Sequence, residues 1–229
     1  MADPPAGARA LPIRAVLFDL DGTLADTAPD LAAALNRVRG DRGLAPLPYA
    51  TLRPHASHGA RGLVGAGFGV APGDDGFPLL RDTFLAHYEA ALCVESTLFD
   101  DVAALLAEIE ARGLAWGIVT NKAARFTQPL LAMLPPLARA GTVVSGDTTP
   151  HAKPHPEPLF EAARRLGLAP SHCLYVGDDE RDIVAGLAAG MGTVAATYGY
   201  LGQQADISQW RAHAAIHSPL QLLKLLNCA

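Results

Sequence analysis

Apolar residues run unbroken through Ala15-Val16-Leu17-Phe18 and stop at Asp19. A run of that length without polar alternation predicts a strand buried on both faces of a parallel sheet. The period then changes. Leu31, Leu35 and Val38 recur at helical spacing, with Pro29 in a first turn and Gly40 as a stop. A glycine-rich segment follows from Ser57 to Gly69, and a second long helix is predicted over Phe77–Val94. Val102, Leu105, Leu106 and Ile109 mark an amphipathic helix over Asp101–Arg112, with Gly113 behind it. No strand is predicted between the first one and about Leu114.

From there strand and helix alternate. Strands are predicted at Ala115–Thr120, Thr142–Ser145, Cys173–Gly177, Val194–Thr197 and Ala214–Ile216, and helices at Pro158–Leu166, Ile183–Ala189 and Leu220–Leu226. This alternation predicts an α/β fold, a doubly wound parallel sheet with right-handed crossovers. The stretch before it is too long to be a loop. Residues 27–97 therefore read as a separate helical cap, inserted into a core made of residues 1–26 and 98–229. The two crossings, near Ala25–Thr27 and Glu95–Phe99, are short and read as hinges.

Composition narrows the function classes. Half of the 229 residues are hydrophobic and 18% are charged, enough to bury a core and too apolar for disorder. A net charge of −5 argues against nucleic acid as a partner. Met1 to Pro12 lacks the charged and apolar regions of a signal peptide, and no apolar run approaches a membrane span. Cys93, Cys173 and Cys228 show neither a disulfide framework nor zinc-ligand spacing. These features predict a cytoplasmic protein without a membrane partner, a monomer or homodimer.

Candidate chemistry lies at the strand ends, where open α/β sheets bind their ligands. Asp19 and Asp21 are two apart at the end of the first strand and point the same way. Such a pair repels itself and suggests a metal cation as partner, although a DxD alone also suits an ordinary turn. Thr120-Asn121 follows the second buried strand, where a hydroxyl and amides bind a phosphate oxygen or cap a helix equally well. Lys153-Pro154 is a candidate anion ligand in a chain with only three lysines, Lys122, Lys153 and Lys224, or else a solvated surface lysine. Gly177-Asp178-Asp179-Glu180-Arg181-Asp182 puts four acids at another strand end, relieved by a cation or by solvent, with Asp182 also suited to a first helical turn.

In this order, DxDGTL, hydrophobic-TN, KP and GDDxxD resemble the haloacid dehalogenase superfamily, from about Ile13 to Leu226. The insert resembles that superfamily's helical C1 cap. Phe18–Leu24, Asp26–Leu31, Lys153-Pro154 and Tyr198-Gly199-Tyr200 look most like bacterial phosphoglycolate phosphatases. Asp26–Leu31, Trp116–Lys122 and His155–Leu159 also look like muramic-acid 6-phosphate phosphatases. The resemblance implies Mg²⁺-dependent hydrolysis of a small phosphorylated metabolite. Asp19 would be the nucleophile that forms an aspartyl-phosphate, and Asp21 the general acid and base. Mg²⁺ would be held by Asp19, the backbone carbonyl of Asp21, and Asp178. Thr120, the Asn121 amide and Lys153 would bind the phosphoryl oxygens, with Asp179 or Asp182 behind them orienting Lys153 or metal-bound water.

Fold alone does not select the reaction. The resemblance implies that dehalogenases lack the second aspartate, so Asp21 points to phosphoryl transfer. The cap has no lysine, which opposes phosphonate hydrolysis through a Schiff base and weighs against hexose-phosphate mutases. A non-catalytic binding module is opposed by the presence of Asp19, Asp21, Lys153 and Asp178 together. Within the cap, Arg53, His55, Ser57, His58 and Arg61 surround Gly59 and Gly62. His58 or Arg61 is the expected partner of a substrate carboxylate, unless these residues are only cap surface. The substrate expected first is 2-phosphoglycolate, with N-acetylmuramic acid 6-phosphate behind it.

Overall fold

The computed structural model describes residues 13–201 and 206–227; the readings of Met1–Pro12 and Cys228 lie outside the described residues. Strand β1 (Ala15–Phe18) is buried along its whole length, as a continuous apolar run requires. A two-stranded antiparallel ribbon, β2 (Ala25–Asp26) with β3 (Thr97–Leu98), brackets the helical insert at both crossings. The ribbon has no counterpart in the sequence pattern, because two residues per strand carry no period.

The remaining strands are β4 (Ala115–Val119), β5 (Thr142–Val144), β6 (Cys173–Gly177), β7 (Gly192–Ala196) and β8 (Ala214–Ile216). With β1 they form one parallel six-stranded sheet in the order β5-β4-β1-β6-β7-β8. The order reverses at β1, and this is the switch point at which such sheets bind ligands. Phe18 is in register with both Ile118 and Val176, so β1, β4 and β6 end at one edge. Alternate side chains serve opposite layers. Val16 and Phe18 join a core that continues into the insert, whereas Ala15 and Leu17 pack with Leu159 and Tyr175 on the other face.

The insert contains α1 (Ala28–Gly40), α2 (Tyr49–Leu52), a 3-10 turn over Arg53–His58, α3 (Gly59–Phe68) and α4 (Phe77–Ala90). Helix α3 occupies most of the glycine-rich segment Ser57–Gly69, to which the pattern assigns no element. It is held by tertiary packing of Leu63 and Val64, and at Gly67 a Cβ would come within 2.9 Å of Leu35 on α1. The core adds α5 (Val102–Ala111), α6 (Ala124–Met133), α7 (Glu157–Arg165), α8 (Glu180–Ala188) and α9 (Leu222–Leu226). Helix α6 is also unmarked by the pattern, since Pro129 lies inside it. No helix among the described residues is long and apolar enough to cross a membrane.

One buried carboxylate closes the insert onto its base. Asp30, on α1, accepts hydrogen bonds from the backbone of Val94 (3.0 Å), Glu95 (3.1 Å) and Ser96 (2.9 Å), and from the Ser96 hydroxyl (2.6 Å). Asp30→Ala removes the acceptor for three amides at once. It should lower the unfolding free energy by about 2–4 kcal/mol, read from the urea midpoint. An unchanged midpoint would show that water or rearranged chain satisfies these amides.

Candidate active site

Four strand ends deliver the polar groups that the sequence singles out. Asp19 follows β1, and its backbone amide is fixed by Val176 O at 2.9 Å. Thr120 follows β4, is buried, and is tied to β5 through Val144 O at 2.9 Å. Its hydroxyl accepts from the Lys122 amide at 3.1 Å. The Asn121 side chain exchanges two 2.9 Å hydrogen bonds with the backbone of Lys153, locking the loop after β5 against the loop after β4. Asp178 follows β6 and is buried.

The Lys153 ammonium is the hub of this arrangement. It lies 2.8 Å from Asp19 Oδ1 and 2.8 Å from Asp182 Oδ1, and it donates to Val119 O at 2.9 Å. Burial alone would pull its pKa down. Asp182 and Asp19 outweigh that effect and hold it above the ordinary lysine value. The Asp19 carboxyl is pushed up to about 7, chiefly by burial, with Lys153 opposing and Asp182 reinforcing the rise. Burial, then Asp19 and Asp182, also push Asp178 well above the carboxylate range.

Oxygens of Asp19, Asp178 and Asp182 lie within 4.8 Å of one another. Three buried carboxylates against one ammonium leave negative charge uncompensated, and an all-oxygen donor set suits a hard divalent cation. The cradle is shaped for it. Asp178 is fixed by the Thr23 hydroxyl (3.0 Å) and the Tyr200 amide (2.9 Å), and a Cβ on Gly22, which has φ +86°, would collide with its carboxylate at 2.2 Å.

Asp21 belongs to a different set of contacts. Its side chain is outside the carboxylate cluster, bonded to the Thr27 hydroxyl and 3.0 Å from Lys122 Nζ. Any share it has in a metal site therefore rests on its backbone carbonyl. Lys122, given no role by the sequence motifs, also donates to Tyr88 Oη of α4 at 3.0 Å. Burial lowers its pKa, but Asp21 and Tyr88 leave it raised. A contact between residues 21, 88 and 122 has no local signal. Its one trace in the sequence is the scarcity of lysines.

The two acids expected behind the site separate. Asp182 touches Lys153. Asp179 instead caps α8 through a capping box and grips Arg181 at 2.8 Å and 3.0 Å. Of the two acids, the structure brings Asp182 and not Asp179 to Lys153. The insert reaches the same edge. Arg181 donates to Ser57 O at 2.8 Å, and the Ser57 hydroxyl donates to Asp178 at 3.2 Å. His58 lies 3.9 Å from Asp179 and is held below its ordinary pKa, first by burial and then by Arg181.

These groups face a cavity of about 300 Å³, lined by Asp19, Asp21, Thr120, Asn121, Lys153 and His58 on its polar side. Leu31, Phe84, Leu85, Tyr88 and Phe126 form an apolar wall. Arg61 is not part of it. It is exposed on α3, whose buried face is Leu63, Val64 and Gly67, so helical phase turns it outward. Of the two candidates for a substrate carboxylate, His58 lines the cavity and Arg61 does not.

The model of the haloacid dehalogenase-like hydrolases matches residues 13–190. The chain belongs to this family. Among its relatives within the family is the N-acetylmuramic acid 6-phosphate phosphatase of Pseudomonas putida, 42% identical over 95% of this chain and 97% of that one. The phosphoglycolate phosphatase of Xanthomonas campestris pv. campestris is 44% identical over 91% and 94%. A Haemophilus somnus crystal structure, described as a predicted phosphoglycolate phosphatase, superposes with a TM-score of 0.82 at 29% identity, covering 93% of this chain and 97% of that one. Our chain is thus a haloacid dehalogenase-like phosphoric monoester hydrolase.

Proposed function

We propose that this enzyme hydrolyses a phosphorylated sugar acid through an aspartyl-phosphate on Asp19, with Mg²⁺ as cofactor and residues 27–97 as its cap. The observation that carries the reading is the single cavity onto which Asp19, Asp21, Thr120 and Lys153 all open. An Asp19 carboxylate oxygen attacks phosphorus, and the ester oxygen leaves with a proton from Asp21. Asp21 then takes a proton from water as that water releases phosphate from Asp19. Thr120 and Lys153 stabilise charge on the transferring oxygens. Asp19 and Asp178 would hold Mg²⁺, with Asp182 beside them and the Asp21 carbonyl as a further donor. The ion would supply positive charge that offsets the repulsion between carboxylates and phosphate.

The cavity also bears on the substrate. At about 300 Å³ it is at the lower end of the roughly 300–1,000 Å³ of small-molecule sites. Size alone favours 2-phosphoglycolate, the substrate expected first from the sequence; the lining points the other way. Glycolate phosphate has only two carbons to set against the apolar wall of Leu31, Phe84, Leu85 and Phe126. An N-acetylated sugar ring has apolar surface to bury there. We therefore place N-acetylmuramic acid 6-phosphate first, the substrate in the name of the Pseudomonas putida relative. The second reading is 2-phosphoglycolate, supported by the name of the Xanthomonas campestris relative.

The test is a comparison of kcat/KM for both acids and p-nitrophenyl phosphate, with Mg²⁺ and in EDTA. The sugar acid should lead by at least about tenfold, through binding made outside the phosphate. A lead for 2-phosphoglycolate reverses the order of the two readings. EDTA should silence all three substrates, and aryl phosphate turnover that persists without metal would remove Mg²⁺ from the mechanism.

A further inference from the structure

We propose that Arg125 is the residue that recognises the substrate's carboxylate. This inference rests on the reading that the substrate is a phosphorylated acid. Among the described residues, four with permanent positive charge line the cavity: Lys122, Arg125, Lys153 and Arg181. Three are already committed. Lys153 lies between Asp19 and Asp182, and Lys122 between Asp21 and Tyr88. Arg181 is gripped by both oxygens of Asp179 and by Ser57 O. Each of these would have to abandon a well-formed buried or half-buried contact to meet a new anion.

Arg125 is held differently. Its one carboxylate neighbour among the described residues is Glu89 on α4, at 3.9 Å, with both side chains 54% exposed. A pair this long and this wet contributes little and is easily exchanged. The guanidinium nevertheless has a defined seat, because it stacks over the buried Phe126 ring at 4.4 Å from the centroid. A planar cation fixed on an aromatic face keeps its donors free and needs little ordering to take a carboxylate in a fork.

Position agrees with this role. Lys153 is buried beside Asp19 on the floor of the cavity, whereas Arg125 lines the same cavity half exposed to solvent, against Phe126 of the apolar wall. A substrate with its phosphate on the floor would carry a distant acid group toward Arg125. Its carboxylate would then replace Glu89 as the partner.

The test uses two matched substrate pairs. One is N-acetylmuramic acid 6-phosphate against N-acetylglucosamine 6-phosphate, which lacks the lactyl carboxylate. The other is 2-phosphoglycolate against glycol phosphate. The wild-type enzyme should prefer the acid in at least one pair. Arg125→Gln should collapse that preference by about thirtyfold, mainly through KM, because a charge-assisted contact is lost. Arg61→Gln, on the solvent face, should leave the preference intact. A preference that survives Arg125→Gln overturns this inference while leaving the acid substrate standing. So does an equal loss on acid and non-acid, which would make Arg125 a structural residue. A wild-type enzyme with no preference in either pair overturns the acid reading, and this inference with it.

Discussion

Asp19→Asn should lower kcat by about ten-thousandfold or more on every substrate, p-nitrophenyl phosphate included. That is roughly 5.5 kcal/mol of barrier at about 1.36 kcal/mol per factor of ten. An amide oxygen keeps the shape of the carboxylate and still accepts from Lys153, but it is too poor a nucleophile to form the covalent intermediate. The same variant should not unfold. Asp19 shares a buried cluster with Asp178 and Asp182, and one ammonium is set against all three. Removing one of those charges relieves repulsion. In EDTA and above about pH 7, where the Asp19 carboxyl carries its charge, the melting temperature of Asp19→Asn should therefore equal or exceed that of the wild type, a case of a site held at some cost in stability. Turnover within tenfold of wild type would show that Asp19 is not the nucleophile. A melting temperature well below wild type would show that the cluster is better compensated than its contacts indicate.

The parts of this molecule that were legible in the sequence are those whose signal is local. Ala15–Phe18 announces a buried strand because every residue in it is apolar, and Asp19, Thr120 and Asp178 are marked because each follows such a strand. Where structure depends on a distant partner, the pattern is silent or misleading. The four glycines of Gly59–Phe68 leave the segment without an assigned element, and only packing against α1 makes it a helix. Once it is a helix, phase decides which side chains are buried, and Arg61 is left exposed. Pro129 hides α6, and with it Arg125 and Phe126, which line the cavity. Tyr200 shows the same limit. Its hydroxyl accepts from the amides of Thr27 (2.5 Å) and Ala28 (2.9 Å), serving the start of α1 from more than 170 residues away.

Lys153→Met should cost both stability and activity, and the two losses can be separated. Methionine keeps an apolar stem of similar length but leaves Asp182 and Asp19 without their cation. Breaking a buried pair by removing one partner costs about 3–5 kcal/mol, because the remaining charge is stranded. The urea midpoint should fall accordingly. Activity should fall by about a hundredfold or more, as expected for the loss of one donor to the transferring phosphoryl oxygens. A second substitution tells the effects apart. In Lys153→Met/Asp182→Asn only Asp19 is left without its cation, so stability should return part of the way toward the level of Asp182→Asn alone. Contacting groups in one network are expected to be this far from additive. Activity should not return with it, since no ammonium faces the phosphate. Recovery of turnover in the double variant would mean that Lys153 only neutralises Asp182. A single variant as stable as wild type would mean that the Lys153–Asp182 contact, at 2.8 Å, holds nothing in place.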